Sequence, residues 1–168
     1  MKRAALLVVF VVLAGCAGGT LTAHPRTTTT LHHVGCVEGV RPDPRCTPGT
    51  TNPQVTQATI HSTICVRGWT ATVRPPVSVT DRIKTERMKA YGVGSQSKTL
   101  FELDHLIALE LGGGTADVGN LWPEAYAGAQ GARTKDRVEN LVKARVCAGT
   151  LTLAEAQREI TTDWTAVR

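Results

Sequence analysis

The chain has 168 residues, 19 of them basic and 14 acidic, for a formal charge of +5, and 42% of it is apolar. That length suits one domain with a real core. Aromatic residues make up only 4%, which excludes an array of stacking platforms for single-stranded bases, and the mild basicity tolerates a polyanionic partner without demanding one.

Lys2 and Arg3, the uncharged run from Ala4 to Leu13, and Leu13-Ala14-Gly15-Cys16 form a charged start, a short apolar stretch and small residues before a cysteine. That is the layout of a secretory signal peptide over residues 1–15. The run is too short for the ~20 residues that a membrane-spanning helix needs. The Leu-Ala-Gly-Cys ending resembles the bacterial lipobox. The resemblance implies cleavage before Cys16, a lipid on its sulfur, and an exported protein anchored to the outer face of the cell membrane. An ordinary signal peptide cut a few residues later is the alternative. Cleavage removes Lys2 and Arg3 and lowers the formal excess from +5 to +3.

Residues 16–34 are small, Thr-rich and without apolar periodicity, as expected of a flexible tether. His24, His32 and His33 fall in it and read as inert. Residues 35–168 form the expected single domain. Over 35–56, Arg41-Pro42-Asp43-Pro44 and Thr47-Pro48-Gly49 signal turns. Ile64, Val66, Trp69 and Val73 predict one or two strands between Ile60 and Val73, ended by Pro75-Pro76. Thr80 then reads as the N-cap of a helix of about eleven residues, with Ile83, Arg87 and Tyr91 on one face and Gly92 as its stop.

Thr99 to Leu111 begins strand-like and runs into a turn at Gly112-Gly113-Gly114, which lacks the Lys-Ser/Thr of a P-loop. A second short strand at Asn120-Leu121-Trp122 ends at Pro123, with Trp122 in the core. A helix follows from about Arg133 to Cys147, with Val138, Leu141, Val142 and Val146 on one side. Thr152-Leu153-Ala154-Glu155 opens the last helix as a capping box, and Leu153, Ala156, Ile160 and Trp164 make its apolar stripe.

Besides Cys16, the cysteines are Cys36, Cys46, Cys65 and Cys147, an even number for an oxidising compartment. Three pairings are open. We favour Cys36–Cys46 as a local clip and Cys65–Cys147 as a long-range tie. Zinc is the rival use, but no CxxC pair exists.

Residues 101–140 carry the chemistry. Asp104 and His105 are adjacent polar residues among Phe101, Leu103, Leu106 and Ile107, and Lys135 and Asp136 stand in the first turns of the following helix. A carboxylate is a hard oxygen ligand for a divalent cation. A neutral imidazole accepts a proton from water near pH 7. Neighbouring strand residues point to opposite faces, so the two share a site only where the strand bends or ends.

Glu102-Leu103-Asp104-His105-Leu106-Ile107, Leu109-Glu110-Leu111-Gly112-Gly113, Asn120-Leu121 and Lys135 together resemble the HNH endonuclease motif. The resemblance implies an α+β fold: a small single domain with a ββα-metal finger, extra N-terminal strands and helix, and a C-terminal helix, stapled by disulfides. It implies one divalent cation, Mg²⁺ or Mn²⁺ first, held by Asp104, with His105 as general base. Asn120 would hold the loop that aims His105, and Lys135 would sit near the phosphate. Where the family usually offers His or Asn as a further ligand, this chain has Gly131 and Ala132, leaving Gln130 or Asp136 to substitute. Glu110 either supports the site or is solvated. Arg133, Lys135, Arg137, Lys143 and Arg145 either grip phosphates or form a solvated helix face.

The expected function is an extracytoplasmic metal-dependent nuclease acting on nucleic acid, DNA ahead of RNA, with no immunity protein assigned. The alternative is a non-catalytic envelope lipoprotein that uses the HNH-like fold as a binding scaffold. A Ser or Cys hydrolase is disfavoured because no GxSxG occurs.

Overall fold

The computed structural model describes residues 35–168. The signal peptide expected over 1–15, the lipidated Cys16 and the 16–34 tether lie outside the described residues. Two five-residue strands, β1 (Phe101–His105) and β2 (Leu121–Ala125), pair antiparallel with Leu103 opposite Pro123 and His105 opposite Leu121. The helices are α1 (Trp69–Val73), α2 (Val77–Ala90), α3 (Ala132–Cys147) and α4 (Leu153–Asp163). The class is α+β, with a small sheet between longer helices. Among the described residues no helix is long and apolar enough to cross a membrane.

The strands expected between Ile60 and Val73 are instead a short 3-10 turn at Ile60–Ser62 and α1. Ile60 and Ile64 are both almost fully buried, while Val66 is 45% exposed. Burial at a spacing of four is helical, and packing overrides the β preference of branched side chains. α2 begins at Val77 rather than at Thr80, because Pro76, with φ −58° and ψ 148°, already sets the first turn. Thr80 lies inside the helix and donates to the Val77 carbonyl. Ile83, Arg87 and Tyr91 are buried on one face as their spacing predicts. Pro123 sits inside β2 instead of ending it. In a two-stranded sheet each strand is an edge, where a residue without an N–H is tolerated.

α4 opens on the reciprocal Thr152–Glu155 capping box, and Leu153, Ala156, Ile160 and Trp164 are buried. On α3, Val142 and Val146 are buried but Leu141 is 45% exposed. The inward stripe of that helix is Ala132, Lys135, Glu139, Val142 and Val146. Two charged residues therefore occupy core-facing positions.

One apolar cluster joins Ile60, Ile64, Leu106, Ile107 and Leu111 to α3 and α4. A second gathers Met88, Tyr91, Val93, Phe101 and the fully buried Trp122. Full burial of one such side chain contributes about 2 kcal/mol. Cys36–Cys46 and Cys65–Cys147 are the two disulfides, with Cα–Cα distances of 5.9 and 5.6 Å. The first clips the turn-rich segment beside α2, where the Cys36 N–H bonds the Ala90 carbonyl. The second spans 82 residues, ties the end of α3 to the Ile60–Ile64 turns, and encloses both strands.

Candidate active site

β1 delivers Asp104 and His105 to its last two positions, and the pairing holds through His105 opposite Leu121. The chain then leaves the strand and returns through a loop that Asn120 organises. The Asn120 side chain is fully buried. Its Oδ1 accepts from the Ile107 N–H at 2.9 Å, and its Nδ2 donates to the Ile107 carbonyl at 2.9 Å and the Gly114 carbonyl at 3.1 Å. The loop is thereby pinned at two points without regular structure, and no polar group of the amide is left unsatisfied. Gly113 is required here. A Cβ on it would lie 1.7 Å from the Ile107 carbonyl oxygen and 2.7 Å from Asn120 Nδ2.

The pinned loop presents the Thr115 carbonyl to His105 Nε2 at 3.0 Å. A carbonyl only accepts, so Nε2 carries the proton and Nδ1 keeps its lone pair. Nδ1 has no hydrogen-bond partner among the described residues. Burial pulls the imidazole below its ordinary pKa, against the opposing effects of the Thr115 carbonyl and the Asp104 charge. Burial thus favours the neutral ring, and the Thr115 carbonyl favours the tautomer with its basic nitrogen at Nδ1.

Asp104 and His105 line one polar hollow of about 270 Å³, together with Glu102, Glu110, Asp136, Glu139 and Arg74. The wall is strongly acidic. Burial first, then the charge of Asp104, raises Glu102 and Asp136; burial likewise raises Glu110 against the opposing charge of Lys143, whose Nζ lies 3.9 Å from a Glu110 oxygen. Asp136 therefore shares the hollow with Asp104. Gln130 does not: it lies at a different depression, beside Glu124 and Ala125.

Lys135 is not where a phosphate contact would put it. Its side chain is 1% exposed, and its ammonium bonds Asp104 Oδ2 at 2.6 Å, the His105 carbonyl at 2.7 Å, and Glu139 one turn along α3. Burial opposes its charge, but Asp104, Glu139 and Glu124 together raise its pKa. Burial also pushes Asp104 up, yet Lys135 and a hydrogen bond from Glu124 hold it below the ordinary range. Glu124, buried on β2, would have both oxygens orphaned if ionised. Burial, with Asp104 beside it, pushes its pKa up to about 11, which favours its protonated form, able to donate toward Asp104. Glu139 is likewise raised by burial, against the pull of Lys135.

The donor chemistry fits a hard cation, since carboxylates dominate the hollow. Among the described residues, no three acidic, His or Cys side chains converge closely enough to hold a metal by themselves. A hydrated Mg²⁺-type ion binds through one or two carboxylates and substrate oxygens rather than in an all-protein cage, and Asp104 and Asp136 are the residues that would hold one here. An ionised carboxylate has about four acceptor positions, so Asp104 keeps capacity beyond Lys135 and Glu124.

Positions 131 and 132 cannot supply another ligand, and packing explains why. A Cβ on Gly131 would sit 2.5 Å from the Tyr126 carbonyl oxygen, and Ala132 is 1% exposed against the core. Sequence reasoning missed Glu124, Glu139, Thr115 and Arg74. For Glu139 a signal existed: it stands four residues after Lys135, within the stripe that includes Val142 and Val146. Thr115 acts through its backbone, which leaves no signature in the chain.

Comparisons with protein families, with curated proteins and with solved structures find no match to this chain. What it does must be argued from the site itself.

Proposed function

We propose that this protein is an exported nuclease that hydrolyses phosphodiester bonds with His105 as general base and a divalent cation, Mg²⁺ or Mn²⁺, as its partner. One observation carries this: the His105 Nε2–H is committed to the Thr115 carbonyl, which leaves Nδ1 free beside an acid-lined hollow. A positioned neutral imidazole takes a proton from the attacking water as the new P–O bond forms, while the scissile P–O bond breaks and the leaving oxygen takes a proton from solvent. The Asn120 amide fixes the loop that carries Thr115, and so acts on His105 through the backbone. Asp104, with Asp136 nearby, would hold the cation, which supplies positive charge to offset that gathering on the phosphate. Lys135 and Glu124 keep Asp104 ionised and in place. The chain order of β1, β2 and α3 supports reading them as a ββα-metal finger, and the signal-peptide-like layout of residues 1–16 favours nucleic acid outside the cytoplasm, DNA before RNA, as the substrate.

Incubation of the purified protein with plasmid DNA or RNA and Mg²⁺ or Mn²⁺ tests the proposal. Cleavage that depends on the cation and vanishes in His105→Ala is expected. Cleavage unchanged in that variant would remove His105 from the chemistry.

A second reading is favoured by Gly131 and Ala132, which close off another ligand, and by the ammonium already bonded to Asp104. In it the domain is a disulfide-stapled envelope scaffold without catalysis. No cleavage under any cation, together with a melting temperature indifferent to divalent ions, would select it.

A further inference from the structure

We infer that Arg74 is the phosphate-binding residue of this site, its guanidinium taking the non-bridging oxygens of one phosphodiester group beside His105. This rests on the nuclease reading and adds how the substrate is held.

Arg74 closes α1, where its N–H bonds the Thr70 carbonyl and its backbone is extended at φ −67° and ψ 126°. Pro75 and Pro76 follow, and their rings fix the chain direction out of the helix. The backbone is therefore rigid while the side chain is exposed. Apart from His105, Arg74 is the only basic side chain that lines the hollow among the described residues.

Among the described residues it also has no acidic partner within salt-bridge distance. Arg41, Arg45, Lys98, Lys143 and Arg145 each pair with a carboxylate. Arg74 shares its hollow with Glu102 and Asp104, yet pairs with neither. Arginines beside carboxylates ordinarily fold onto them, so this one keeps its planar fork available.

The charge layout then decides where an anion goes. Asp104, Glu102 and Asp136 repel a phosphate and attract a cation, whereas Arg74 brings the one permanent positive charge among the residues that line the hollow. A phosphodiester gripped by Arg74 lies in the same hollow that His105 lines. Arginine suits this because it offers paired donors to two oxygens of one phosphate.

The test uses the full chain carrying His105→Ala, so that bound DNA stays intact, and a fluorescein-labelled DNA duplex with Mg²⁺, read by fluorescence anisotropy. Adding Arg74→Ala is expected to raise Kd about tenfold and to flatten the salt dependence by about one phosphate contact. Arg74→Lys recovers part of the affinity, since it keeps the charge and loses the fork. Because Arg74 is exposed and unpaired, its variants melt like their parent. A Kd and salt slope unchanged by Arg74→Ala would overturn the inference, even if the wild-type protein cleaves DNA. Conversely, Arg74-dependent binding by a protein that never cleaves sinks the hydrolytic reading and leaves the phosphate grip standing.

Discussion

Asn120 reaches back thirteen residues to Ile107 and bonds both its N–H and its carbonyl, each at 2.9 Å. A single side-chain amide thus ties down the loop that joins the two strands, beyond the end of their ladder. The same amide bonds Gly114, next to the Thr115 carbonyl that holds His105.

Asn120→Ala removes three buried hydrogen bonds and strands the Ile107 and Gly114 backbone groups without partners. A loss on the order of 3 kcal/mol in urea unfolding is expected. Asn120→Asp keeps the acceptor for the Ile107 N–H but not the donors, and should also destabilise. Equal stability of Asn120→Ala and wild type would show that the loop holds itself.

Lys135→Met leaves Asp104 and Glu139 buried without their counter-charge. Breaking a buried pair from one side costs about 3–5 kcal/mol, and denaturant titration should find a loss of that size. Were Lys135 a surface phosphate contact, the same change would leave stability within about 0.5 kcal/mol.

The Glu124 pKa is raised from its ordinary 4.5 to about 11. Between those values the folded state binds the extra proton and the unfolded chain does not, so stability falls as pH rises through that window. Glu124→Gln keeps a donor toward Asp104 at every pH and should flatten the alkaline side of a plot of Tm against pH. Parallel curves for the two proteins would mean that Glu124 is ionised in the native state.

His105 moves the other way, its pKa lowered by burial. Its imidazole should titrate below the ordinary histidine value, and ¹⁵N chemical shifts should give the Nε2–H tautomer. Below pH 6.5 the unfolded chain binds this proton more readily than the native state, so His105 costs stability as pH falls. An imidazole half-protonated at pH 6.5 or above would contradict the buried, carbonyl-bound geometry.

Replacing Cys65 and Cys147 with Ala should lower stability by about 4.5 kcal/mol, against about 2.7 kcal/mol for Cys36 and Cys46, on the chain-entropy scale for separations of 82 and 10. Calorimetry of the two double variants checks the order. A larger loss from the short clip would show that it supports the α2 cluster enthalpically.

Local chemistry was legible in the chain. The Thr152–Glu155 cap, the α4 stripe and the Asp104-His105 ending of β1 follow from spacing and residue type, because each depends on neighbours within a turn or two; counting cysteines gave two disulfides, and the fold chose the favoured pairing among three. The Ile60–Val73 region was misread because branched residues spaced four apart serve either a strand or a turn, and only the packing of Ile60 and Ile64 against α3 and α4 decided between them. The fate of Lys135 was legible only in part. The motif resemblance put it near the phosphate, and its spacing to Glu139, Val142 and Val146 hints at an inward face, but only the fold shows α3 turning it onto two carboxylates supplied by β1 and by its own next turn. Long-range electrostatics of this kind depends on which elements meet, and a linear pattern records residue types, not the distances at which folding sets their charges.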